Sequence, residues 1–233
     1  MSAKLNRTLH GPSWTEVILG ALLSVILGAA LGAALMIARP VVSVRQPPKE
    51  AERDPKDVYY IQGARDPSKT RAALAKRKSF AEGQSVSLAE DELNALAALP
   101  AAALANPGAE GQNPPAPAKA ADSGEMIATG QFNFRLRDGR MQIAVPVTLS
   151  VLGLSQQVIV QAHGGFVKEG SGFAFVPETL YVGSLPVQRL PMAERYVREQ
   201  LLAAKTIPDD VRASWAKLAN VSIDGNTLKL TMP

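Results

Sequence analysis

Two hydrophobic rhythms run along this chain. From Val17 to Ala38 the sequence VILGALLSVILGAALGAALMIA continues for 22 residues without a charge. As a helix it reaches roughly 33 Å, against a hydrocarbon core of about 30 Å. From Glu125 onward the apolar positions instead fall on every second residue. Phe132, Phe134 and Leu136 alternate with Gln131, Asn133, Arg135 and Arg137, and Asp138-Gly139 makes a turn. Met141, Ile143, Val145, Val147, Leu149 and Val151 follow on one face, with Arg140, Gln142, Ala144, Pro146, Thr148 and Ser150 on the other. Pro146 has no N–H to give a ladder, so this strand is expected at an edge or bulged there. Val158, Val160 and Ala162 share a face of the next strand, with His163 among its polar positions as an exposed or hydrogen-bonded histidine. Gly164-Gly165 marks a kink or bulge, and Phe166-Val167 continue the strand. Phe173-Ala174-Phe175-Val176 begin a fourth, Pro177 interrupts, and Leu180 to Gly183 resume. Short turns between such runs imply antiparallel hairpins.

Helical signals surround these strands. Ser13 is placed to cap the apolar helix, with Glu16 completing a capping box, and Trp14 suits a membrane–water boundary. Val58 to Ile61 reads as a short strand, followed by a basic helix to about Lys78 with Asp66 as N-cap and Pro67 at N1. Ser87 and Glu90 form a second capping box, starting a helix with Leu88, Leu93, Leu96 and Leu99 on its apolar side. The triplet Glu90-Asp91-Glu92 then falls in the first turn, where the helix dipole favours it, and this accounts for the triplet better than a metal or acid–base cluster does. A helix over 191–204 places Met192, Tyr196, Val197 and Leu201 together. Another starts at Pro208 with Asp209 and Asp210, and carries Val211, Trp215 and Leu218. A hairpin around Asp224-Gly225-Asn226 closes the chain. The expected fold class is α+β: one N-terminal transmembrane helix, then a mainly antiparallel, curved sheet whose apolar face is covered by amphipathic helices.

These signals divide the chain into a polar tail (1–13), a transmembrane signal anchor (14–39), a proline-rich basic juxtamembrane spacer and helix (40–78), a strand and helix of the domain (79–99), an Ala/Pro-rich insertion expected to be disordered (100–124), and a sheet with two helices (125–233). A cleaved signal peptide fits less well, because the apolar run exceeds the usual h-region and Met36 spoils a small-x-small site ending at Ala38. Within the anchor Gly20, Ser24, Gly28 and Gly32 recur every fourth residue. This is either a face for self-association of the helix or the ordinary abundance of small residues in membrane helices.

Charge changes the picture in one place. Residues 39–78 hold eleven Lys/Arg against five Asp/Glu, whereas residues 79–233 hold twelve against fifteen. The basic character sits beside the anchor, as a solvated linker or an attraction to anionic lipid, and no nucleic-acid-reading context accompanies it. By simple count the positive-inside rule puts the domain in the cytoplasm. The short N-terminal tail and the absence of cysteine favour the opposite side, and the reading adopted is a single-pass cytoplasmic-membrane protein with an extracytoplasmic domain. Having no cysteine excludes disulfides and thiolate chemistry, and two histidines leave little for a multi-His metal site. No P-loop, dinucleotide fingerprint, GxSxG or HExxH occurs, so no catalytic residue, cofactor or metal is expected.

The stretch SLAEDELNAL at 87–96 following an anchor, then one-sided strands, then LYVGSLP at 180–186, resembles bacterial single-span proteins of the YpmS and YceB kind over about residues 80–233. The resemblance implies a tubular lipid-binding architecture in which a curved sheet wraps a helix and encloses apolar ligands; the insertion at 100–124 departs from it. On that expectation the apolar-ligand face comprises Phe132, Phe134, Ile143, Val145, Val147, Val158, Val160, Phe173 and Phe175. The functional expectation is a non-enzymatic envelope protein that binds lipid or another apolar ligand, with membrane lipid as a partner; the alternative is a structural or assembly scaffold acting through protein contacts.

Overall fold

Ser13 starts the first helix, α1 (Trp14–Ala38), as expected. Its Oγ accepts the Glu16 N–H at 3.3 Å, and the Glu16 carboxylate accepts the Ser13 N–H at 3.1 Å. The computed structural model describes residues 13–44, 46, 48, 49, 52–54, 57–99, 127–151, 154–170, 172–187 and 208–233. Residues 1–12 of the N-terminal tail, the Ala/Pro-rich insertion and the helix expected over 191–204 lie outside them. No α1 residue is buried, and among the described residues it is the one helix long and apolar enough to cross a membrane.

Beyond α1 the chain doubles back. Strand β1 (Val42–Val44) pairs in parallel with β2 (Tyr59–Ile61), and Arg39 meets Asp57 at 2.7 Å. Asp66 accepts the Ser68 N–H at 2.9 Å and opens a short 3-10 turn, Pro67–Lys69, leading into α2 (Thr70–Ala81). The next element differs from expectation. Ser87 is not a helix cap but lies within β3 (Val86–Ala89), and α3 (Glu90–Ala97) begins after it. The reason is a distant partner: β3 completes a three-stranded antiparallel sheet with the closing hairpin, β10 (Asn220–Asp224) and β11 (Thr227–Thr231), pairing Leu88 with Leu228 and Val86 with Leu230. Pairing holds the chain extended through Ala89, and Glu92 then caps α3 by accepting the Ala89 N–H at 2.9 Å.

The larger sheet is antiparallel and built from β4 (Ile127–Thr129), β5 (Asn133–Arg137), β6 (Arg140–Val151), β7 (Leu154–Glu169), β8 (Gly172–Val182) and β9 (Leu185–Pro186), in the order β4-β6-β7-β8-β9 with β5 also beside β6. β5 and β6 join through Asp138 and Gly139, both at positive φ (52° and 72°), which is the geometry a two-residue hairpin turn requires. Pro146 does not mark an edge strand, since β6 is interior. It pairs with Ile159 on one side and faces the interruption between β4 and β5 on the other, where its carbonyl accepts the Gly130 N–H at 2.7 Å. The missing N–H therefore falls where no ladder exists. Pro177 does not interrupt β8 either. The register shifts between His163 and Gly164, leaving Glu178 unpaired in a bulge, and the strand runs on.

The protein is thus α+β, with its core between the two sheets. Leu136 and Met141 of the large sheet pack with Leu88, Val221, Leu228 and Leu230 of the small one, closed by Phe80 of α2 and Leu218 after α4 (Asp209–Trp215). Each such fully buried side chain contributes about 1.5–3 kcal/mol.

Candidate functional site: the docked helix end and the two faces of the sheet

The outer edge of β5 would leave backbone groups unpaired, and α3 seals it with side chains. Glu90 and Asn94, four residues apart on one helix face, both turn toward the strand. The Asn94 amide accepts the Phe134 N–H at 2.7 Å and donates to the Phe134 carbonyl at 2.7 Å and the Ala64 carbonyl at 2.8 Å. One side chain therefore does the work of a neighbouring strand residue. The Glu90 carboxylate accepts the N–H groups of Leu136, at 2.8 Å, and Ala64. Gly63 completes the seal by close approach, for a Cβ there would lie 1.9 Å from the Phe134 oxygen. The acidic triplet is thereby divided. Glu90 serves the sheet, while Glu92 caps α3 and binds Lys76 at 2.7 Å. Burial pushes the Glu92 carboxyl up, but the Lys76 and Ala89 hydrogen bonds outweigh it and hold it below its ordinary value.

The polar face of the sheet is also covered. Arg135, Gln142, His163 and Thr179 form one cross-strand row, and Ala144, Gln161 and Tyr181 the next. Gln161 is 1% exposed. Its amide donates to the Tyr59 carbonyl at 3.5 Å and accepts from Gln142 at 3.4 Å, so the returning segment around β2 lies against this face. His163 is on the polar face as expected but half-buried. Burial, aided by the Arg135 charge, pulls its imidazole below its ordinary pKa. Burial and the neighbouring Arg137 likewise lower Arg135, and burial raises Tyr60.

On the other face the register brings the expected apolar residues together, in two groups. Phe134, Ile143, Phe173 and Phe175 pack onto the core shared with the small sheet and α4, where Phe166 touches both Phe175 and Trp215 with ring centroids 5.8 and 5.7 Å apart. Val145, Val147 and Val160 form a second cluster with Ala162, Leu180 and Val187, against which Phe132, Phe175 and Val182 pack; Val158 is 4% exposed.

The end of α1 is bound by the domain. A helix leaves its last carbonyls without intrahelical partners. Here the Met36 carbonyl accepts the Ser184 N–H at 3.1 Å, and the Ala38 carbonyl accepts from the Gln156 side chain at 2.8 Å. Gly183, at φ 60°, presses against Ile37 so closely that a Cβ would sit 2.4 Å from its oxygen. The Ser184 Oγ is buried at this joint with no hydrogen-bond partner among the described residues. A Cβ added at Gly20, Gly28 or Gly32 would meet nothing within 4 Å, so no described residue packs on the glycine face of α1. Gly20, Ser24, Gly28 and Gly32 are all exposed, and the Ser24 hydroxyl donates to its own Gly20 carbonyl at 2.8 Å.

Sequence reasoning missed Asn94, Glu90, Gln156 and Ser184. For the first two a signal existed: polar residues four apart, which share one face of a helix. For the last two there was none, because their contacts are to the carbonyls of a helix end far away in the chain. Among the described residues no group of three or more His, Asp or Glu side chains is gathered to hold a metal. Comparison with known proteins finds no matching family model, no matching curated protein and no matching solved structure.

Proposed function

We propose that this chain is a membrane-anchored, non-enzymatic assembly module of the cell envelope, acting through protein–protein contacts with its domain on the extracytoplasmic side. The observation that carries this reading is the bound end of α1. Hydrogen bonds from Ser184 and Gln156 to the Met36 and Ala38 carbonyls fix the domain's orientation about the helix axis. A partner meeting the Gly20, Ser24, Gly28 and Gly32 face inside the membrane is then presented with a defined domain surface outside it. Small residues let helix backbones approach closely there, where packing replaces the hydrophobic driving force. Exchanging α1 for an unrelated apolar span, with residues 39–233 intact, is expected to abolish complexes trapped by cross-linking in native membranes. Complexes that survive the exchange overturn the reading. Protease added to intact cells is expected to reach the domain; protection until lysis reverses its side.

A second reading, the apolar-ligand carrier that the resemblance implies, draws support from the valine half of the sheet. The described residues packed on that half are Phe132, Phe175, Val182 and Val187, none of them from an α-helix. Against it, the phenylalanine half is already filled by protein. Lipid co-purifying with the full chain in stoichiometric amount, and lost on Val147→Asp, supports the carrier; a lipid-free preparation removes it.

A further inference from the structure

The length of α1 sets the depth at which the domain meets a bilayer. With Trp14 at one boundary, about 30 Å of hydrocarbon takes about 20 residues of helix and ends near Ala34. Met36 to Ala38 then stand in the far headgroup layer. So do the groups that bond them, Ser184 of the β8–β9 turn and Gln156 of β7. The covered side of the helix reaches a turn further back. Ala33 and Ile37, four residues apart on one face, are half-buried, whereas every other residue of α1 is exposed. Strands β7 and β9 lie against the helix. The domain therefore sits down on the hydrocarbon boundary.

Gln156 belongs to an arm of the sheet. The β7–β8 ladder ends at Val160 with Val182, followed by the Gly183 N–H on the Ile159 carbonyl at 2.9 Å. The β6–β7 ladder runs on past it to Leu154 opposite Val151, and Leu154 is about 7 Å along the strand from Gln156. This hairpin end is chemically unlike the others. The β5–β6 hairpin turns on Asp138-Gly139 and the closing hairpin on Asp224-Gly225-Asn226, residues suited to a turn in water. Between Ser150 and Ser155 the sequence is instead Val-Leu-Gly-Leu, and from Met141 to Val167 there is no Asp, Glu, Lys or Arg. Below the end, the Ser150 and Ser155 hydroxyls lie 3.0 Å apart.

We infer that the β6–β7 hairpin end, closed by the Val151–Leu154 pair, is a second membrane contact that enters the headgroup–acyl boundary beside α1. This inference rests on the membrane-anchored reading and extends it. The helix sets the depth of the domain, and the hairpin end sets its tilt on the same leaflet. Lipid is the occupant that position selects, because Gln156 ties this arm to the last carbonyl of a membrane-length helix. An uncharged, apolar hairpin end is unfavourable in water and is stabilised at that boundary.

The chain has no cysteine, so single cysteines can be introduced and labelled cleanly. Leu154→Cys and Val151→Cys, each carrying a nitrobenzoxadiazole fluorophore, are reconstituted as full chains in phosphatidylcholine vesicles. Lys168→Cys is the control, exposed at the other end of β7, about 40 Å along the strand from Gln156. At 151 and 154 the expected emission is blue-shifted, lost to a phosphatidylcholine with a nitroxide near its headgroup, and protected from iodide. At 168 the expected loss is to iodide. Quenching at both 151 and 154 by iodide alone puts the hairpin end in water, and quenching by neither encloses it in protein, of this chain or another. Either result overturns the inference, as does equal lipid quenching at 168. Leu27→Cys tests the anchor separately, through loss of emission to a nitroxide deep in the acyl chain. If that label is quenched while 151 and 154 fail, this inference alone falls; if it is not, the membrane-anchored reading falls with it.

Discussion

Two ends of ladder in the large sheet, at β5 and at the far end of β7, are treated in opposite ways. At β5 the outward backbone groups are bonded by Asn94 and Glu90, with Gly63 and Ala64 pressed alongside. At the far end of β7, Phe166 and Lys168 face outward without a partner among the described residues. An unpaired edge is a template for a further strand, so these two ends differ in what closes them: buried side chains at β5, and no described residue at β7. The sealed edge lies against the core through Leu136, 0% exposed, and holds the domain together. The open edge carries exposed Val167 and charged flanks, and changes there alter the surface.

The sealed edge should break hardest. Asn94→Ala leaves the Phe134 N–H and two carbonyls without partners in a site where Asn94 itself is 2% exposed. The expected loss is about 2–4 kcal/mol by chemical denaturation, with faster amide exchange at Phe134; a loss within error would show that the amide is not what closes β5. Glu90→Gln is the next largest. One carboxylate oxygen becomes an NH2 facing either the Leu136 or the Ala64 N–H, a donor against a donor, at about 1–3 kcal/mol.

Asn94 also shows where the sequence stopped being legible. The alternation from Phe132 to Val151 and the uninterrupted apolar run of α1 are local patterns, and the strands and the helix follow them. Asp66 and Ser13 cap as expected because a cap needs only its neighbours. Ser87 misled because β3 is decided by β11 at the other end of the chain, and Pro146 because its missing donor faces a gap that only the placement of β4 and β5 creates. The candidate site divides in the same way. The glycine face of α1 is written in a four-residue repeat, whereas the joint between α1 and the domain is made of main-chain carbonyls and one glutamine, which no pattern announces.

A smaller effect, seen as a slope with pH, separates the covered polar face from the open end. Burial and Arg135 hold the folded-state pKa of His163 below the ordinary 6.5, so the unfolded chain binds the proton first as pH falls. The stability contributed by the neutral imidazole is complete above about pH 6.5 and is lost as pH falls from there through the lower folded value. His163→Gln, which keeps a polar group in the row with Gln142, is expected to flatten this part of the stability–pH profile. An unchanged slope would assign it to another group.

The smallest effect is expected at the open edge, and it is the sharpest test of the contrast. Proline in a strand is tolerated where its missing N–H would have faced outward, and is disruptive where it would have bonded a neighbour. Lys168 is on the outward side by the alternation that Ile159 sets, and its side chain is exposed. Lys168→Pro should therefore change unfolding free energy by no more than about 0.5 kcal/mol. A cost of several kcal/mol would mean that the Lys168 N–H is bonded in the folded protein. The β7 end would then be a second sealed edge, and the contrast between a closed edge and an open one would fall.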